Sequence, residues 1–295
     1  MIQKHVLPPL RDKPYGGAWS IHDHESVSAI KSMSYARGDK DAFVKDYKDW
    51  ICAGKDFNGI DKFVQLDFSA GTTETFHMFY VRHIKKRLRL FSGEYFYHHM
   101  MARNYFDKFA LLDDEDIKAG DVVAMSCPFS NTGNIPKDFY KILQQCDDNN
   151  VPVLLDLAYI SISNISQLNL NYKCIQTITT SLSKVFPVEN HRIGLRLERE
   201  CYDDSLVAYN QNNYLNVFSV NIGHRLIKQF DNNWLYNKYE SQQVETCEQL
   251  QLERSSCVIF GLDTSERYPE YKRGTEINRL CFSKTWDKRI DVKTN

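Results

Sequence analysis

Lys184 is the residue whose setting most directly suggests chemistry. It ends the segment Ser181-Leu182-Ser183-Lys184, which follows a strand-like run over residues 174–180. A lysine in a partly desolvated pocket has a lowered pKa, so its amine can attack an aldehyde. Most lysines lie on solvated loops instead. Taken alone, Lys184 is compatible with both interpretations.

Asp156 is the second such residue. It follows the apolar run Val153-Leu154-Leu155 and precedes Ala158-Tyr159. A carboxylate at the end of a buried strand lies where open α/β sheets bind ligands. Paired with a protonated pyridine nitrogen, such a carboxylate keeps the ring an electron sink. The alternative is a strand-end aspartate that caps the following turn.

Three further segments offer groups that bind anions. In Gly71-Thr72-Thr73-Glu74 a tight turn would direct helix N–H groups and two hydroxyls toward a phosphate. Arg192 can hold a phosphate bidentately, and Arg279, in a strand-like run, can hold a carboxylate. The alternatives are an ordinary helix N-cap at residues 71–74 and two solvated arginines.

The elements that must position these groups alternate between strand and helix. Strand-like runs cover residues 63–68, 88–91, 122–127, 151–157 and 174–180. A helix after Thr73 would bury Phe76, Phe79, Tyr80 and His83. A helix opened by Pro136 would bury Phe139, Ile142, Leu143 and Cys146. Repeated units of this kind predict an α/β layered domain with a parallel core.

The flanking regions predict a smaller unit. A helix is expected over residues 41–51, and beyond Leu195 helices over 220–239 and 242–251 precede strands over 257–262 and 277–282. We predict a large domain over residues 31–225. Residues 1–30 form an N-terminal arm and residues 226–295 a small α+β domain in this prediction.

Composition limits the class of protein. The 295 residues are 42% hydrophobic and carry a formal net charge of -1, so neither a nucleic-acid partner nor a charged tail is expected. The eight cysteines form no C-x-x-C pair and predict reduced thiols in a cytoplasmic protein. Residues 1–17 lack the apolar segment of a signal peptide, and no run has the ~20 apolar residues of a membrane helix.

Two motifs resemble one family. Ser181-Leu182-Ser183-Lys184 with Arg192 is similar to the S-x-S-K…R signature, and Asp156-Leu157-Ala158-Tyr159 to the D-x-A-Y signature, of the fold-type I PLP (pyridoxal 5′-phosphate) enzymes, aminotransferase class I/II branch. The resemblance covers residues 35–195 and continues, with fewer matches, to Arg279. It implies an aspartate aminotransferase-like, three-layer α/β large domain with a mostly parallel sheet, plus a small α+β domain. The implied cofactor is PLP, and the implied substrates are an amino acid and a keto acid.

The resemblance also implies roles for the cofactor contacts. Lys184 forms a Schiff base with PLP and moves the proton at the substrate Cα, while Asp156 pairs with the pyridine nitrogen and Tyr159 with the phenolic oxygen. Tyr95 stacks on the ring, and Phe96 and Tyr97 lie close enough to compete with it. The residues implied at the phosphate are Thr72, Thr73, Ser181 and Arg192, and Gly71 and Ser183 are further residues implied to contact the cofactor.

Further implied roles concern substrate and assembly. Arg279 corresponds to the arginine that grips the substrate α-carboxylate. Tyr35 resembles a tyrosine that reaches the phosphate of a partner subunit, which implies a homodimer. Trp19 and Tyr15, in the arm, are the candidates to line the substrate pocket.

The chain departs from the family pattern at one turn and in length. Where relatives have N-P-T-G it has Ser130-Asn131-Thr132-Gly133, so Ser130 replaces the asparagine that contacts the phenolic oxygen unless Asn131 shifts in. The chain is also shorter than most members. Transamination is the first hypothesis. A lyase, decarboxylase or racemase reaction with the same residues, or a non-catalytic protein of this fold, is the alternative.

Two polar clusters receive the plainer interpretation. His22-Asp23-His24 lacks a further ligand set at suitable spacing, so a surface loop is expected and no metal site is predicted. The basic run over residues 82–89 spans a helix end and a strand start, and a solvated face is expected there.

Overall fold

A computed structural model describes residues 18–273 and 275–286. Its strands are β1 (Asp56–Asn58), β2 (Gln65–Ser69), β3 (Arg87–Leu90), β4 (Phe109–Leu111), β5 (Asp121–Ser126), β6 (Val153–Asp156), β7 (Gln167–Asn169), β8 (Ile175–Ser181), β9 (Gly194–Glu198), β10 (Glu253–Arg254), β11 (Phe260–Asp263) and β12 (Asn278–Cys281). Its α-helices are α1 (His24–Lys31), α2 (Lys40–Cys52), α3 (Thr72–His83), α4 (Phe96–Tyr105), α5 (Phe139–Asp148), α6 (Ser205–Gln211), α7 (Val217–Gln229), α8 (Trp234–Leu250) and α9 (Ser283–Trp286).

The central sheet has the strand order β2-β9-β8-β6-β5-β3-β4. Its pairs are parallel from β8 through β6, β5 and β3 to β4, and only β9 runs antiparallel to both of its neighbours. The register places Ser126, Asp156 and Thr179 side by side at the carboxyl ends of β5, β6 and β8. The predicted mostly parallel α/β fold is therefore confirmed, and the carboxyl edge is where such sheets bind ligands.

Apolar side chains cover both faces of this sheet. Along β5, Val123 and Met125 join the larger core cluster, whereas Val122 and Ala124 join a second cluster with Phe76 and Phe79 of α3. Because side chains alternate between the faces of a strand, a continuous apolar run requires cover on both sides. The sheet is thus the middle of three layers.

The predicted helix over residues 220–239 is two helices, α7 and α8. The chain leaves the helix at Phe230, whose carbonyl accepts the indole N–H of Trp50 at 2.7 Å. Asn232, buried in the connection, donates to the carbonyls of Trp50 and Ala53 at 2.8 and 2.9 Å. The break therefore places hydrogen-bond donors at the carbonyl groups that end α2. Helical periodicity cannot predict this contact, because the two segments are far apart in sequence.

The basic run over residues 82–89 is not the solvated face that we expected. Arg89 is fully buried and donates to Asp121 at 2.8 Å, and Arg87 donates to the same carboxylate at 2.7 Å. Arg82 contacts Glu198 at 3.1 Å. These arginines join strands and helices inside the fold, because buried carboxylates face them across the sheet.

Residues 22–24 are not the surface loop that we expected. His24 begins α1, and the buried Asp23 caps it by accepting the N–H of Glu25 at 2.9 Å. The Asp23 carboxylate also pairs with Lys238 at 2.7 Å.

A second, smaller sheet lies in the C-terminal part of the described chain. β10, β11 and β12 form an antiparallel sheet that carries Arg279, opposite Leu262.

All eight cysteines are free thiols, and six of them are buried. Within the described ranges, no helix has the length and apolar character needed to cross a membrane.

Candidate active site

A pocket opens at the carboxyl edge of the central sheet. Of the residues predicted at the site, ten line it: Thr72, Thr73, Tyr95, Ser130, Asp156, Tyr159, Ser181, Ser183, Lys184 and Arg192. Ser126, Pro128 and Ala158 complete the lining. Segments at the carboxyl ends of β2, β3, β5, β6 and β8 and at the start of the antiparallel β9 therefore meet in one place.

The turn between β2 and α3 forms one wall. Gly71 has φ +75° and ψ 176°, a conformation essentially restricted to glycine, and a Cβ there would overlap the guanidinium of Arg192. Thr72 and Thr73 follow at the start of α3, whose first N–H groups have no partner within the helix. This wall presents amide, hydroxyl and guanidinium donors together, which is the donor set that a phosphate takes.

The strand β9 packs against this wall at Gly194. A Cβ on Gly194 would lie 2.8 Å from Gly71 Cα, so the two backbones approach more closely than any other residue type allows. Arg192 itself adopts φ 54°, uncommon for a residue other than glycine, and its guanidinium donates to the carbonyl of Glu189 at 3.3 Å. The unusual backbone at Arg192 turns the chain into β9 and directs its side chain to the pocket.

Lys184 lies in a short 3₁₀ turn directly after β8. Ser181 holds this turn by accepting the N–H of Ser183 at 3.2 Å and by donating to the carbonyl of Ile193 at 3.0 Å. Burial lowers the pKa of the Lys184 ammonium, and the charge of Asp156 opposes that shift. The geometry thus supplies the partly desolvated amine that a nucleophilic lysine needs.

The amine of Lys184 also has a partner far away in sequence. It donates to the carbonyl of Ala18 at 2.6 Å. Next to Ala18, Ser20 donates its N–H to the carboxylate of Glu189 at 3.2 Å. Although burial alone would raise it, hydrogen bonds from His22 and Ser20 lower the pKa of Glu189 to about 2. The N-terminal segment is therefore held against the lysine.

Asp156 faces the pocket from the end of β6 and is buried. Burial, reinforced by the charge of Glu94, raises the pKa of this carboxyl to about 7, while the N–H of Ala158, which it accepts at 2.9 Å, and the charge of Lys184 act in the opposite direction. A buried carboxylate without a cation in contact with it is costly. A protonated ring nitrogen would supply the missing partner.

Aromatic rings border the same space. Tyr95 lines the pocket, whereas Phe96 does not, and Tyr97 is half-buried with its ring centroid 6.4 Å from that of Tyr95. Tyr159 has its ring edge against Phe260 and lies 5.8 Å from the Lys184 amine, measured to the ring centroid. Of Tyr95, Phe96 and Tyr97, it is Tyr95 that lines the pocket.

Ser130, and not Asn131, reaches the pocket. The Ser130 N–H donates to the Ser126 hydroxyl at 2.8 Å, and its carbonyl accepts from the guanidinium of Arg279. Asn131 instead donates to Thr275 at 2.7 Å, toward the C-terminal segment. The asparagine does not shift in, so the departure from the family pattern holds in the structure.

Three predicted residues lie elsewhere. Arg279 is buried on β12 with its guanidinium over the ring of Phe260, at 4.4 Å from the centroid, and it donates to the Ser130 carbonyl at the pocket. Trp19 is half-exposed beside Lys284, and Tyr35 is 79% exposed and stacks on Phe218. Tyr15 lies outside the described residues.

Sequence reasoning missed Glu94. This buried carboxylate accepts the N–H and the hydroxyl of Ser126 at 2.7 and 2.9 Å and the N–H of Tyr95 at 3.0 Å, and burial raises its pKa. It thereby fixes two residues of the pocket wall. Its position directly before Tyr95 was the available signal, but contact with Ser126 depends on the fold.

The comparisons with known proteins agree with this geometry. Residues 85–222 match the family model described as aminotransferase class I and II. No curated protein matches the chain. Similar solved structures include tyrosine aminotransferase from Leishmania infantum, at 9% identity and a TM-score of 0.65, covering 93% of this chain and 91% of that one.

Two other similar structures are those of enzymes named for different reactions. The PLP-bound C-S lyase from Staphylococcus hominis has 14% identity and a TM-score of 0.62, covering 86% of this chain and 76% of that one. L-threonine-O-3-phosphate decarboxylase from Porphyromonas gingivalis has 12% identity and a TM-score of 0.57, covering 87% of each chain. One fold thus hosts several reactions, so the site must decide among them.

Proposed function

We propose that the protein is a PLP-dependent aminotransferase. Its chain has the fold of the fold-type I PLP-dependent enzymes, and its residues 85–222 match the aminotransferase class I and II family. The observation that carries the proposal is a single pocket containing the amine of Lys184, the carboxylate of Asp156 and the phosphate donors beside Gly71. Its substrates are an amino acid and a keto acid.

The residues present fit the cofactor. A phosphate suits the wall of Thr72, Thr73 and Arg192, where a single Cβ on Gly71 would fill the available space. The buried carboxyl of Asp156, whose pKa is raised toward 7, gains a cationic partner from a protonated pyridine nitrogen. The exposed face of Tyr95 remains for stacking on the ring.

Each side chain then has a defined task. PLP, when bound, supplies an electron sink for the negative charge that develops at the substrate Cα. Lys184, with its lowered pKa, attaches the cofactor and afterwards takes and returns the proton at Cα. Tyr159 donates its hydroxyl toward the phenolic oxygen, since burial raises its pKa to about 12 and keeps it protonated.

A lyase or decarboxylase is the second candidate. It is favoured by Ser130, which occupies the position of the asparagine that tunes the ring in relatives. Incubation of the loaded protein with labelled amino acids separates the candidates. Keto acid formation supports transamination, whereas carbon dioxide release or elimination supports the alternatives.

The first test of the proposal uses Lys184→Ala. The protein incubated with PLP should show a visible absorbance band that borohydride abolishes, and the variant should lack this band because Lys184 is the lysine that lines the pocket among residues 18–273 and 275–286. Lys118→Ala, at an exposed lysine, is the matched control and should keep the band. Full amino-transfer activity in Lys184→Ala would contradict the proposal.

We further propose that the protein is a homodimer. Tyr35 is highly exposed and does not line the pocket of its own chain, which suits a residue that reaches the phosphate of a partner subunit. The eight free cysteines suit a reducing compartment such as the cytoplasm.

A further inference from the structure

A second recess adjoins the candidate active site. Its lining includes Gly93, Glu94, Phe96, His99, Arg103 and Arg273. Glu94 connects the two spaces, because it lines the recess while its carboxylate holds Ser126 in the wall of the pocket.

The recess contains two arginines, the exposed Arg103 and the half-buried Arg273, and one carboxylate, that of Glu94. No ion pair within the described ranges joins Arg103 or Arg273 to a carboxylate, in contrast to Arg87 and Arg196, which are paired at 2.7 Å. The carboxylate of Glu94 is already occupied by the hydroxyl and N–H of Ser126. The positive charge of the recess is therefore left for a ligand.

Two buried donor or acceptor atoms point to the same conclusion. Neither Nη1 of Arg273 nor Nε2 of His99 has a hydrogen-bond partner among the residues that the structure describes. Buried polar atoms are rarely left without partners, because each one loses its hydrogen bonds to water. An anion in the recess would accept a bond from each atom if His99 carries its proton on Nε2.

Electrostatics favour an anion as well. Burial, together with the charge of Arg279, lowers the pKa of Arg273 to about 10, so its cation is poorly compensated. The charges of Tyr159 and Glu94 oppose this shift. Arg273 thus lies within electrostatic range of Tyr159 in the pocket wall.

We infer that this recess binds the anionic end of the substrate's side chain. The substrate class is accordingly an amino acid whose side chain carries a carboxylate or a phosphate. The inference rests on the proposed function, since the amino group of that substrate must reach Lys184. Arg103 and Arg273 hold the side-chain anion by charge-assisted hydrogen bonds.

The test compares Arg273→Gln and Arg103→Gln with the parent protein. All three proteins are loaded with PLP, so that the phosphate donors beside Gly71 are already occupied. Arg225→Gln, at an exposed arginine outside both spaces, is the matched control. Calorimetric titration with inorganic phosphate should show binding that weakens about tenfold in Arg273→Gln, corresponding to the loss of one hydrogen-bonded ion contact. The control should match the parent.

The second measurement follows bleaching of the visible band by glutamate, O-phospho-L-serine and alanine. The anionic amino acids should act at about tenfold lower concentration than alanine, and Arg273→Gln should abolish this preference without changing the response to alanine. Glutamate and O-phospho-L-serine separate a carboxylate from a phosphate preference. Equal responses to all three amino acids, or phosphate binding unchanged in both variants, would overturn the inference.

Failure of the proposed function has a different signature. A parent protein that shows no visible band with PLP would refute the function and the substrate class together. Phosphate binding that is still weakened by Arg273→Gln in that protein would show that the recess is an anion site without a substrate role.

Discussion

At the scale of residues, Asp156 is a carboxyl group whose ionised form is disfavoured by its surroundings. Its carboxyl is buried near a second buried acid, Glu94, and the charge of Lys184 acts in the opposite direction on its pKa. The raised pKa means that ionisation of Asp156 is disfavoured until a cation binds beside it. In the proposed function, a protonated ring nitrogen supplies this cation.

A pH dependence of stability follows for Asp156. The folded protein keeps this carboxyl protonated up to about pH 7, whereas the unfolded chain loses the proton near pKa ~3.9. Between these values the folded state binds more protons, so the free energy of unfolding falls as pH rises, by at most about 1.4 kcal/mol per pH unit. Asp156→Asn cannot titrate and removes this contribution.

Urea unfolding of the cofactor-free protein measures the effect. From about pH 5 to about pH 7, Asp156→Asn should gain stability relative to the parent protein. Asp61→Asn, at an exposed aspartate, should run parallel to the parent. A difference between Asp156→Asn and the parent that is independent of pH would mean that the pKa of Asp156 is not raised.

At the scale of elements, the connection between β2 and α3 is held by its neighbour β9. Asp67 on β2 and Arg196 on β9 are register partners, and their buried side chains meet at 2.7 Å. Asp204, which caps α6, pairs with the same arginine at 2.6 Å. This buried ion network, with the close backbone approach at Gly194, fixes the wall that is proposed to hold the phosphate.

Gly71→Ala is expected to damage that wall. The added methyl would overlap the guanidinium of Arg192, and the backbone conformation would be strained as well. We expect PLP to bind at least about tenfold more weakly, as for the loss of one charge-assisted contact. Fluorescence titration with PLP measures the affinity.

Gly54→Ala is the control that separates strain from overlap. Gly54 has φ +70°, close to that of Gly71, but a Cβ there would meet nothing within 4 Å. It should lose stability from the backbone conformation and bind PLP like the parent protein. Equal PLP affinity in both variants would show that Gly71 and Arg192 do not form the phosphate wall.

At the scale of the whole molecule, the site joins distant parts of the chain. The carbonyl of Ala18 contacts the amine of Lys184, and Arg279 reaches Ser130 from β12. In the proposed function, the carbonyl of Ala18 must release the amine of Lys184 before the cofactor is attached. A subunit partner would add Tyr35 to the same site in the proposed dimer.

The dimer proposal predicts a measurable mass and a shared site. Light scattering of the loaded protein should give twice the mass of one chain, and Tyr35→Ala should weaken PLP binding although Tyr35 lies outside the pocket of its own chain. Tyr214→Ala, at a tyrosine of similar exposure, should bind PLP normally. A monomer that retains the cofactor would contradict the proposal.

The sequence by itself determined the fold class and predicted ten of the residues that line the pocket. Near-continuous apolar runs defined strands β5 and β6, because a strand covered on both faces needs apolar residues throughout, whereas β8 was predicted from a strand-like run over residues 174–180 that mixes apolar residues with threonine. The motifs ending these strands named Asp156 and Lys184, and the carboxyl ends of parallel strands necessarily share an edge. Local pattern and topology were sufficient for these residues.

Only the tertiary structure decided the contacts between segments that are far apart in sequence. The break between α7 and α8, the burial of Arg89 and the bond between Glu94 and Ser126 each satisfy a polar group on another element. The recess of Arg103 and Arg273 likewise combines α4 with the segment before β12. A single chain shows which groups need partners, but the partners themselves depend on how the layers pack.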